Sequence, residues 1–243
     1  MKLIQLNIWG GRLERQVAGF LEKEQPDIAC LQEAISIKGN GAIFVGLETL
    51  AELWKKPTHV FHTPMFSFKF MNRIARFGNA IVSTWPFAYK ESVYVNLEHK
   101  ENFDFDEHDY NVRNFQHVKF DIDGKALHVL NHHGHHIPSH KDGDESTMRQ
   151  MKELVQYIKK LEGAVILTGD FNLAPHSKSL EQLNKMLSNL SVKANLDTTR
   201  NQLTYKKEVC DYIFVNDQVK VKSFEASDEL VSDHKALILE FYI

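Results

Sequence analysis

The segment VILTGDFN (residues 165–172) is the most informative stretch of this chain. It begins with the apolar run 165–167, and the polar residues Asp170 and Asn172 follow within five positions. A short apolar run bounded by turn residues is typical of a buried strand. Residues at the ends of such strands lie on the loops where a rigid scaffold presents binding and catalytic groups. The segment therefore predicts a buried sheet that carries its chemistry at one edge.

The same pattern recurs elsewhere in the chain, where polar side chains flank further apolar strands. These side chains belong to Asn7, Glu33, His133, Asp211, Asp233 and His234. Because strand ends feed the loops at one edge of a sheet, we expect these residues and Asp170 to converge on one site.

The side chains of this set have a joint chemical meaning. The oxygens of Asn7, Glu33 and Asp233 suit Mg²⁺ or Mn²⁺. A carboxylate can align an attacking water, and an imidazole can stabilise charge or donate a proton. Each residue alone is more typical of a turn, a cap or a solvated side chain. Only their combination indicates a metal-dependent hydrolytic site.

Hydrophobic periodicity predicts a mixture of strands and helices. Strands are predicted at residues 3–8, 27–31, 78–83, 92–96, 112–120, 126–131, 165–168, 212–215, 219–224 and 236–242. Helices are predicted over residues 12–24, from an N-cap at Ser146 to Gly163, and from Ser179 with Gln182 completing a capping box. This order predicts an α/β (α+β) fold, a four-layer α/β/β/α sandwich of two packed mixed β-sheets with outer helices.

The composition is that of an ordinary globular protein. Its 243 residues are 43% hydrophobic and include 16 Phe, which excludes a disordered or disulfide-stapled chain. No repeat or linker divides the chain, so we expect residues 1–243 to form a single domain. The formal charge of −3 excludes a uniformly basic surface but leaves a local basic groove open.

Cys30 and Cys210 lie in apolar runs, where a reduced thiol is more typical than a disulfide. The start MKLIQLNIWGG is too short and too polar for a signal-peptide core, and no stretch approaches the roughly 18 apolar residues of a membrane span. We therefore expect a soluble cytoplasmic protein, and no obligate protein partner is evident.

Seven motifs, in this order, resemble those of the endonuclease/exonuclease/phosphatase superfamily with the deoxyribonuclease-I-like fold. They are LNIWG (6–10), LQE (31–33), GNAIVSTWPF (78–87), VLNHHG (129–134), TGDFN (168–172), CDYIFV (210–215) and SDHKAL (232–237). The motifs span nearly the whole chain, and together they form a specific signature. The resemblance implies one catalytic domain that uses a divalent metal ion on a phosphoester substrate.

The resemblance also implies roles for individual residues. Asn7 and Glu33 would hold Mg²⁺, with Mn²⁺ as a possible substitute, and Asp233 would be a further ligand. Asp170 would orient or deprotonate the attacking water, and Asn172 would hold a phosphate oxygen.

The remaining roles concern charge on the phosphate. Asp211 would pair with His234 and stabilise its charged form, and His133 would be the second imidazole. Asn79 can reach the same phosphate in the family. Arg113 is either structural or a phosphate contact, and the structural role is narrowly preferred.

These roles predict a Mg-dependent hydrolase of phosphoester bonds, of the phosphodiesterase or nuclease type, that uses direct water attack on nucleic acid or a small phosphodiester. Trp9, Val209 and His133 stand where abasic-site endonucleases carry other residues, which disfavours that activity. The alternatives are a phosphatase acting on a small phosphorylated metabolite or lipid head group, and a non-catalytic phosphate-binding module.

Four further segments leave alternatives open. Residues 128–140 contain six His, for which one catalytic His in an exposed loop is favoured over a zinc or nickel site. Residues 98–109 contain six acidic residues and are interpreted as a solvated loop, which would repel a long polyanion if it overhung the site. Residues 65–77 alternate basic and aromatic side chains and predict an amphipathic strand, or alternatively a phosphate-facing rim. We expect the loops 38–46 and 98–109 to set selectivity.

Overall fold

The computed structural model describes residues 1–37 and 59–243. The proposed selectivity loop 38–46 lies outside the described residues. The strands are β1 (Lys2–Asn7), β2 (Ile28–Ile37), β3 (His59–Phe70), β4 (Arg73–Ser83), β5 (Tyr89–Asn96), β6 (Arg113–Ile122), β7 (Lys125–His133), β8 (Ala164–Asp170), β9 (Ser188–Asn189), β10 (Asp211–Val215), β11 (Lys220–Ala226) and β12 (Leu237–Tyr242). The helices are α1 (Glu14–Glu24), α2 (Glu145–Ile158), α3 (Glu181–Met186) and α4 (Leu190–Lys193).

The strands of these described ranges form two mixed sheets of six strands each. The first has the order β11-β12-β1-β2-β4-β3, and the second has the order β5-β6-β7-β8-β10-β9. The pairs β1–β2 and β7–β8 are parallel, whereas the other neighbours are antiparallel. In both sheets the parallel pair lies near the centre, so its strand ends meet at the same edge.

Three layers of apolar side chains hold the sheets and helices together. The layer between the sheets contains Leu3 and Ile28 of the first sheet with Val129 and Ile166 of the second, all of them buried. Helix α1 covers the outer face of the first sheet, and α2 with α3 covers the outer face of the second. The α/β/β/α sandwich predicted from the sequence is therefore confirmed.

Element boundaries differ from the predictions in places where side-chain hydrogen bonds decide them. The N-cap of α2 is Asp144, whose carboxylate accepts a bond from the Thr147 amide, so the prediction of Ser146 is wrong. Ser179 does not cap a helix either, because it lies inside the 3-10 turn Lys178–Leu180, which Ser177 caps. Strand β2 continues to Ile37, well beyond the predicted end at residue 31.

The layer between the sheets changes from apolar to polar toward one end. The inward positions of β1 are Leu3, Gln5 and Asn7, and those of β7 include Val129 and Asn131. Since inward positions recur every second residue along a strand, β1 and β7 both bring their last inward side chains to the same end of the sandwich. The site residues predicted from the sequence lie at this polar end.

None of the helices in the described ranges is both long enough and apolar enough to cross a membrane. The cytoplasmic location inferred from the sequence stays a prediction.

Both cysteines are fully buried and unpaired. Burial raises the pKa of the Cys30 thiol to about 12, although a hydrogen bond with Thr168 lowers it. Burial also raises the pKa of the Cys210 thiol. Since the thiolate is the reactive form of cysteine, both side chains are protected by their pKa as well as by the surrounding core.

We therefore expect the native protein to resist alkylation by iodoacetamide at pH 8, and to take up two equivalents of reagent once it is unfolded in urea. Intact-mass spectrometry over time measures both reactions. Alkylation of either thiol in the native protein at the rate seen in urea would contradict the buried placement.

Candidate active site

The backbone turns sharply at Glu33, which re-aims the side chain. The pairing of β2 with β4 shifts register between Leu31 and Ala34, and Glu33 has a φ of 56°. A bulge of this kind bends the strand and redirects one side chain. Asn172, which follows β8, likewise has a positive φ of 55°. Two of the predicted site residues therefore occupy strained backbone positions.

The amide of Asn7 joins the two sheets at the polar end. Its Nδ2 donates to Glu33 Oε1 at 3.1 Å and to Asp170 Oδ2 at 3.1 Å. Its Oδ1 accepts a hydrogen bond from the Trp9 amide at 3.0 Å. Carboxylates from the bulge in β2 and from the end of β8 are thus held on either side of one amide group.

Asp170 lies at the centre of the site and remains ionised. Its Oδ2 is 3.7 Å from His234 Nε2, 4.0 Å from His133 Nε2 and 4.0 Å from Arg200 Nη2. Burial alone would raise the pKa of Asp170, but the positive charges of His234 and Arg200 outweigh it and hold this pKa below its usual range. Asp170 is therefore a carboxylate at neutral pH and can accept hydrogen bonds on both oxygens.

Asp211 orients the imidazole ring of His234 through a hydrogen bond. The Nδ1 of His234 donates to Asp211 Oδ2 at 2.9 Å, which leaves Nε2 facing Asp170. Thr199 Oγ1 and Gln5 Nε2 donate to the same carboxylate at 2.7 and 3.1 Å. Burial disfavours the charged imidazole, but the carboxylates of Asp211 and Asp170 outweigh it, so the pKa of His234 is raised.

Arg200 is a site residue that the sequence analysis missed. Its Nη1 contacts His234 Nε2 and lies 3.5 Å from Asp233 Oδ2. The residue is in a loop with no apolar periodicity, and an isolated β-bridge with His234 brings it into the site. No sequence signal beyond its charge could have identified it. A buried guanidinium facing the cavity is well suited to bind an anion.

Asn172 is held by a second residue that the sequence analysis missed, the buried Lys141. Lys141 Nζ donates to Asn172 Oδ1 at 3.1 Å, and His136 Nδ1 lies 3.0 Å from the same oxygen. Asn172 Nδ2 donates to the Gly134 carbonyl at 3.3 Å. The amide is therefore fixed at both ends.

The structure treats the two predicted substrate contacts differently. Asn79 is fully buried, its Nδ2 donates to Asn114 Oδ1 at 3.0 Å, and it does not line the cavity among the described residues. Arg113 does line the cavity although it is only 5% exposed. Its Nε has no hydrogen-bond partner among the described residues, and burial lowers its pKa to about 10. A buried guanidinium with an unsatisfied N–H fits an anion-binding role better than a structural one.

The six histidines of residues 128–140 do not form one cluster. His128, His132 and His133 lie buried in β7, so the expected exposed loop is wrong for this part of the segment. The ring of His132 packs edge-on against Phe171 at 5.1 Å, whereas His133 faces Asp170. Among the described residues, the one group of acidic and imidazole side chains close enough to share a metal ion is Asp170, Asp211 and His234.

The acidic groups of the site crowd one another. Burial raises the pKa of Glu33, and the Asn7 hydrogen bond and His234 oppose this effect. The carboxylates of Asp170 and Asp233 raise the same pKa further. A cation between these groups would relieve their repulsion, and hard oxygen donors suit Mg²⁺ or Mn²⁺.

These groups open into a cavity of about 530 Å³. Its polar side carries Glu33, Arg113, His133, His136, Asp170, Asn172, Arg200, Lys206, Asp233 and His234. The rest of its lining is mostly aromatic and includes one further cation, Arg12, which lies over the Trp9 ring. The volume is that of a small-molecule site rather than of a long groove.

The sequence model of the Endonuclease/Exonuclease/phosphatase family matches residues 4–234 of this chain. No curated protein matches the chain significantly.

Solved structures with the same fold share little sequence with this chain. An endonuclease/exonuclease/phosphatase family protein from Leptotrichia buccalis C-1013-b is 18% identical with a TM-score of 0.74, and the match covers 100% of both chains. A mannosyl-6-phosphatase from Bacteroides thetaiotaomicron is 15% identical with a TM-score of 0.72, again over 100% of both chains. TDP2 from D. rerio, complexed with single strand DNA product, is 15% identical with a TM-score of 0.68 over 100% of this chain and 99% of that one.

We expect Asp211→Asn to lower the free energy of unfolding by about 1–3 kcal/mol. The substitution replaces one carboxylate oxygen by an NH₂ group, so at least one of the donors His234, Thr199 and Gln5 would lose its acceptor. Urea unfolding followed by circular dichroism measures this change. The exposed Asp217→Asn is the matched control and is expected to leave stability unchanged. Equal stability of the two variants would mean that the Asp211 carboxylate does not organise these three donors.

Proposed function

Because this chain belongs to the Endonuclease/Exonuclease/phosphatase family, whose members are phosphoester hydrolases, we propose that it hydrolyses a phosphodiester by direct attack of water with the help of a divalent metal ion. The observation that carries the proposal is the convergence of Glu33, Asp170, Asp233 and His234 with two buried arginines on one cavity. The sequence places these groups far apart, and the fold gathers them.

The metal ion would be held by Glu33, Asn7 and Asp233. Mg²⁺ keeps several waters and needs only one or two carboxylates, so this sparse set of oxygen donors is sufficient. When bound, the ion supplies positive charge that polarises a phosphoryl oxygen. Mn²⁺ has the same preference for oxygen donors and would substitute for Mg²⁺.

Asp170 would orient or deprotonate the attacking water. Its lowered pKa keeps it in the carboxylate form. The backbone N–H of Asn172 donates to its Oδ1 at 3.0 Å and fixes that oxygen. The other oxygen, Oδ2, accepts a hydrogen bond from Asn7 Nδ2 and lies near His234 Nε2. A carboxylate held in this way loses little entropy when it aligns a water molecule.

The phosphate would be bound by the cationic and imidazole groups around Asp170. His234, charged with the support of Asp211, and the guanidiniums of Arg113 and Arg200 would stabilise the negative charge that develops in the transition state. Burial and the charge of Arg113 hold the pKa of His133 well below its usual range, so His133 would act as a neutral hydrogen-bond donor.

The composition of the cavity favours direct water attack over attack by a hydroxyl or thiol side chain, because its lining, among the described residues, contains no Ser, Thr or Cys. The compact volume also keeps a phosphatase acting on a small phosphorylated metabolite as the second candidate. Comparison of phosphate monoester and diester substrates decides between the two.

We expect Asp170→Asn and His234→Ala each to reduce kcat on bis-p-nitrophenyl phosphate by at least about 100-fold in Mg²⁺. The first variant removes the base, and the second removes a positive charge that would contact the phosphate. The release of p-nitrophenol measures the rate, and p-nitrophenyl phosphate tests the monoesterase alternative. The exposed His176→Ala serves as the control and should keep full activity.

Two results would refute this mechanism. One is full activity in both variants, and the other is native activity that survives removal of divalent metal by EDTA. Tight phosphate binding without turnover on either substrate would instead favour the non-catalytic binding module.

We expect Glu33→Gln to weaken Mg²⁺ binding by at least about tenfold, since the variant loses the charge of one carboxylate ligand. Titration calorimetry with Mg²⁺ alone measures the affinity without requiring turnover. The exposed Glu225→Gln controls for the lost charge, and equal affinity in both variants would remove Glu33 from the metal site.

A further inference from the structure

The aromatic side of the cavity is built by strands that continue past the catalytic carboxylates. In the register of β2 with β4, Ile35 pairs with Phe77, two residues beyond Glu33 and Asn79 respectively. Phe77 in turn pairs with Phe66 of β3. Because side chains two residues apart share a sheet face, Phe77 follows directly from the catalytic end of the sheet.

Five aromatic residues form this side, which we name the aromatic wall. They are Phe66, Phe68, Phe77, Phe105 and Tyr110. Phe66 is at the centre, stacked on Phe77 with ring centroids 4.9 Å apart and an interplanar angle of 11°. Phe105 meets Phe68 edge to face at 5.1 Å, and Tyr110 stands at 87° to Phe66. The rings support one another, so the wall is present before any ligand binds.

The acidic segment 98–109 supplies the outer part of the wall. Phe103 is buried and stacks on Phe66 at 4.1 Å, which anchors a segment that the sequence analysis interpreted as a solvated loop. Phe105 is 44% exposed and Tyr110 is 49% exposed, and both line the cavity. Large aromatic faces left open beside a polar site are typical of ligand contacts.

The two sides of the cavity call for a ligand with two different ends. Arg113, Arg200 and His133 on the polar side suit a phosphate, whereas the wall offers ring faces and edges, and its one hydroxyl, on Tyr110, donates to the Phe105 carbonyl. The acidic side chains of residues 98–109 would repel a second phosphate on the side of the wall. The group next to the phosphate is therefore uncharged and flat.

We propose that the aromatic wall binds a planar aromatic ring attached, directly or through a short linker, to the phosphate of the substrate. This assignment rests on the proposed function, because it takes the polar side of the cavity as the phosphate site. The ring is an aryl group or a nucleobase, which share the π face that such a wall recognises.

Non-hydrolysable phosphonates test the wall without any turnover. Titration calorimetry in Mg²⁺, at a pH where the ligands are dianions, compares phenylphosphonate with methylphosphonate. We expect phenylphosphonate to bind the native protein about tenfold more tightly, because ring contacts of this kind contribute that order of affinity. Cyclohexylphosphonate, which has similar size but is not flat, is expected to bind more weakly than phenylphosphonate.

Variants of the exposed part of the wall connect the preference to named residues. In the double variant Phe105→Ala, Tyr110→Ala we expect the ratio of the two affinities to fall close to one, with the affinity for methylphosphonate kept. Tyr110→Phe retains the ring and should retain the ratio. Tyr242→Ala removes an aromatic side chain that is 60% exposed on β12 and is the matched control.

Three results would overturn the proposal: equal affinity of the native protein for phenylphosphonate and methylphosphonate, equal affinity for phenylphosphonate and cyclohexylphosphonate, or an unchanged ratio in the double variant. Each of these can occur while phosphoester hydrolysis is intact. Conversely, a ring preference without hydrolysis would refute the proposed function and leave the wall in place.

A further pair of ligands distinguishes the two sources of the ring. Adenosine 5′-monophosphate is compared with ribose 5-phosphate in the same titration. A gain in affinity from the adenine identifies a nucleotide substrate, and phenylphosphonate preference without that gain identifies a simple aryl ester.

Discussion

The architecture of the site depends on the amides that replace apolar side chains between the two sheets. Gln5 Nε2 donates to Gln32 Oε1 at 2.9 Å, Gln32 Nε2 donates to Asn131 Oδ1 at 2.6 Å, and Asn131 Nδ2 donates to Gln116 Oε1 at 3.1 Å. The bond from Gln32 to Asn131 joins the two sheets, and the other two bonds extend this network within each sheet. The network allows the sandwich to stay closed where its interior becomes polar. Buried amides are tolerated in this way only when they are hydrogen-bonded to one another.

Side chains of the same polar layer also hold the charged groups of the site in place. Gln5 also donates to Asp211, which fixes the ring of His234, and Asn7 holds the carboxylates of Glu33 and Asp170 apart. Buried charges of opposite sign then balance in this region, with Arg200 close to Asp170. Asn7, Glu33, His133, Asp170 and Asp211 lie on strands, and His234 and Arg200, which lie outside the strands, are positioned by contacts with Asp211 and Asp170. The site is therefore organised before any ligand enters.

The aromatic wall and the charged side give one cavity two chemistries. Both derive from the length of the strands, since β2 and β4 carry Glu33 and Asn79 and then continue to Ile35 and Phe77. Selectivity would then lie partly on rigid strands and partly on the acidic segment 98–109, whose Phe103 ties it to the wall. The family fold leaves such extensions free to vary, which is how one catalytic centre can serve different substrates.

The sequence by itself predicted most of the strands and the α/β/β/α sandwich, because hydrophobic patterning is a local property, and it identified Glu33, Asp170 and Asp233 because they stand in short motifs. The order of the strands within each sheet came only from the structure. It did not reveal Arg200 and Lys141, since neither lies in a periodic segment and each is drawn into the site by contacts more than 30 residues away. It also left Arg113 undecided and treated the rings of residues 65–77 and 98–109 separately. Only the tertiary structure placed these rings on one wall, because ring stacking and charge neutralisation act between groups that are close in space and distant along the chain.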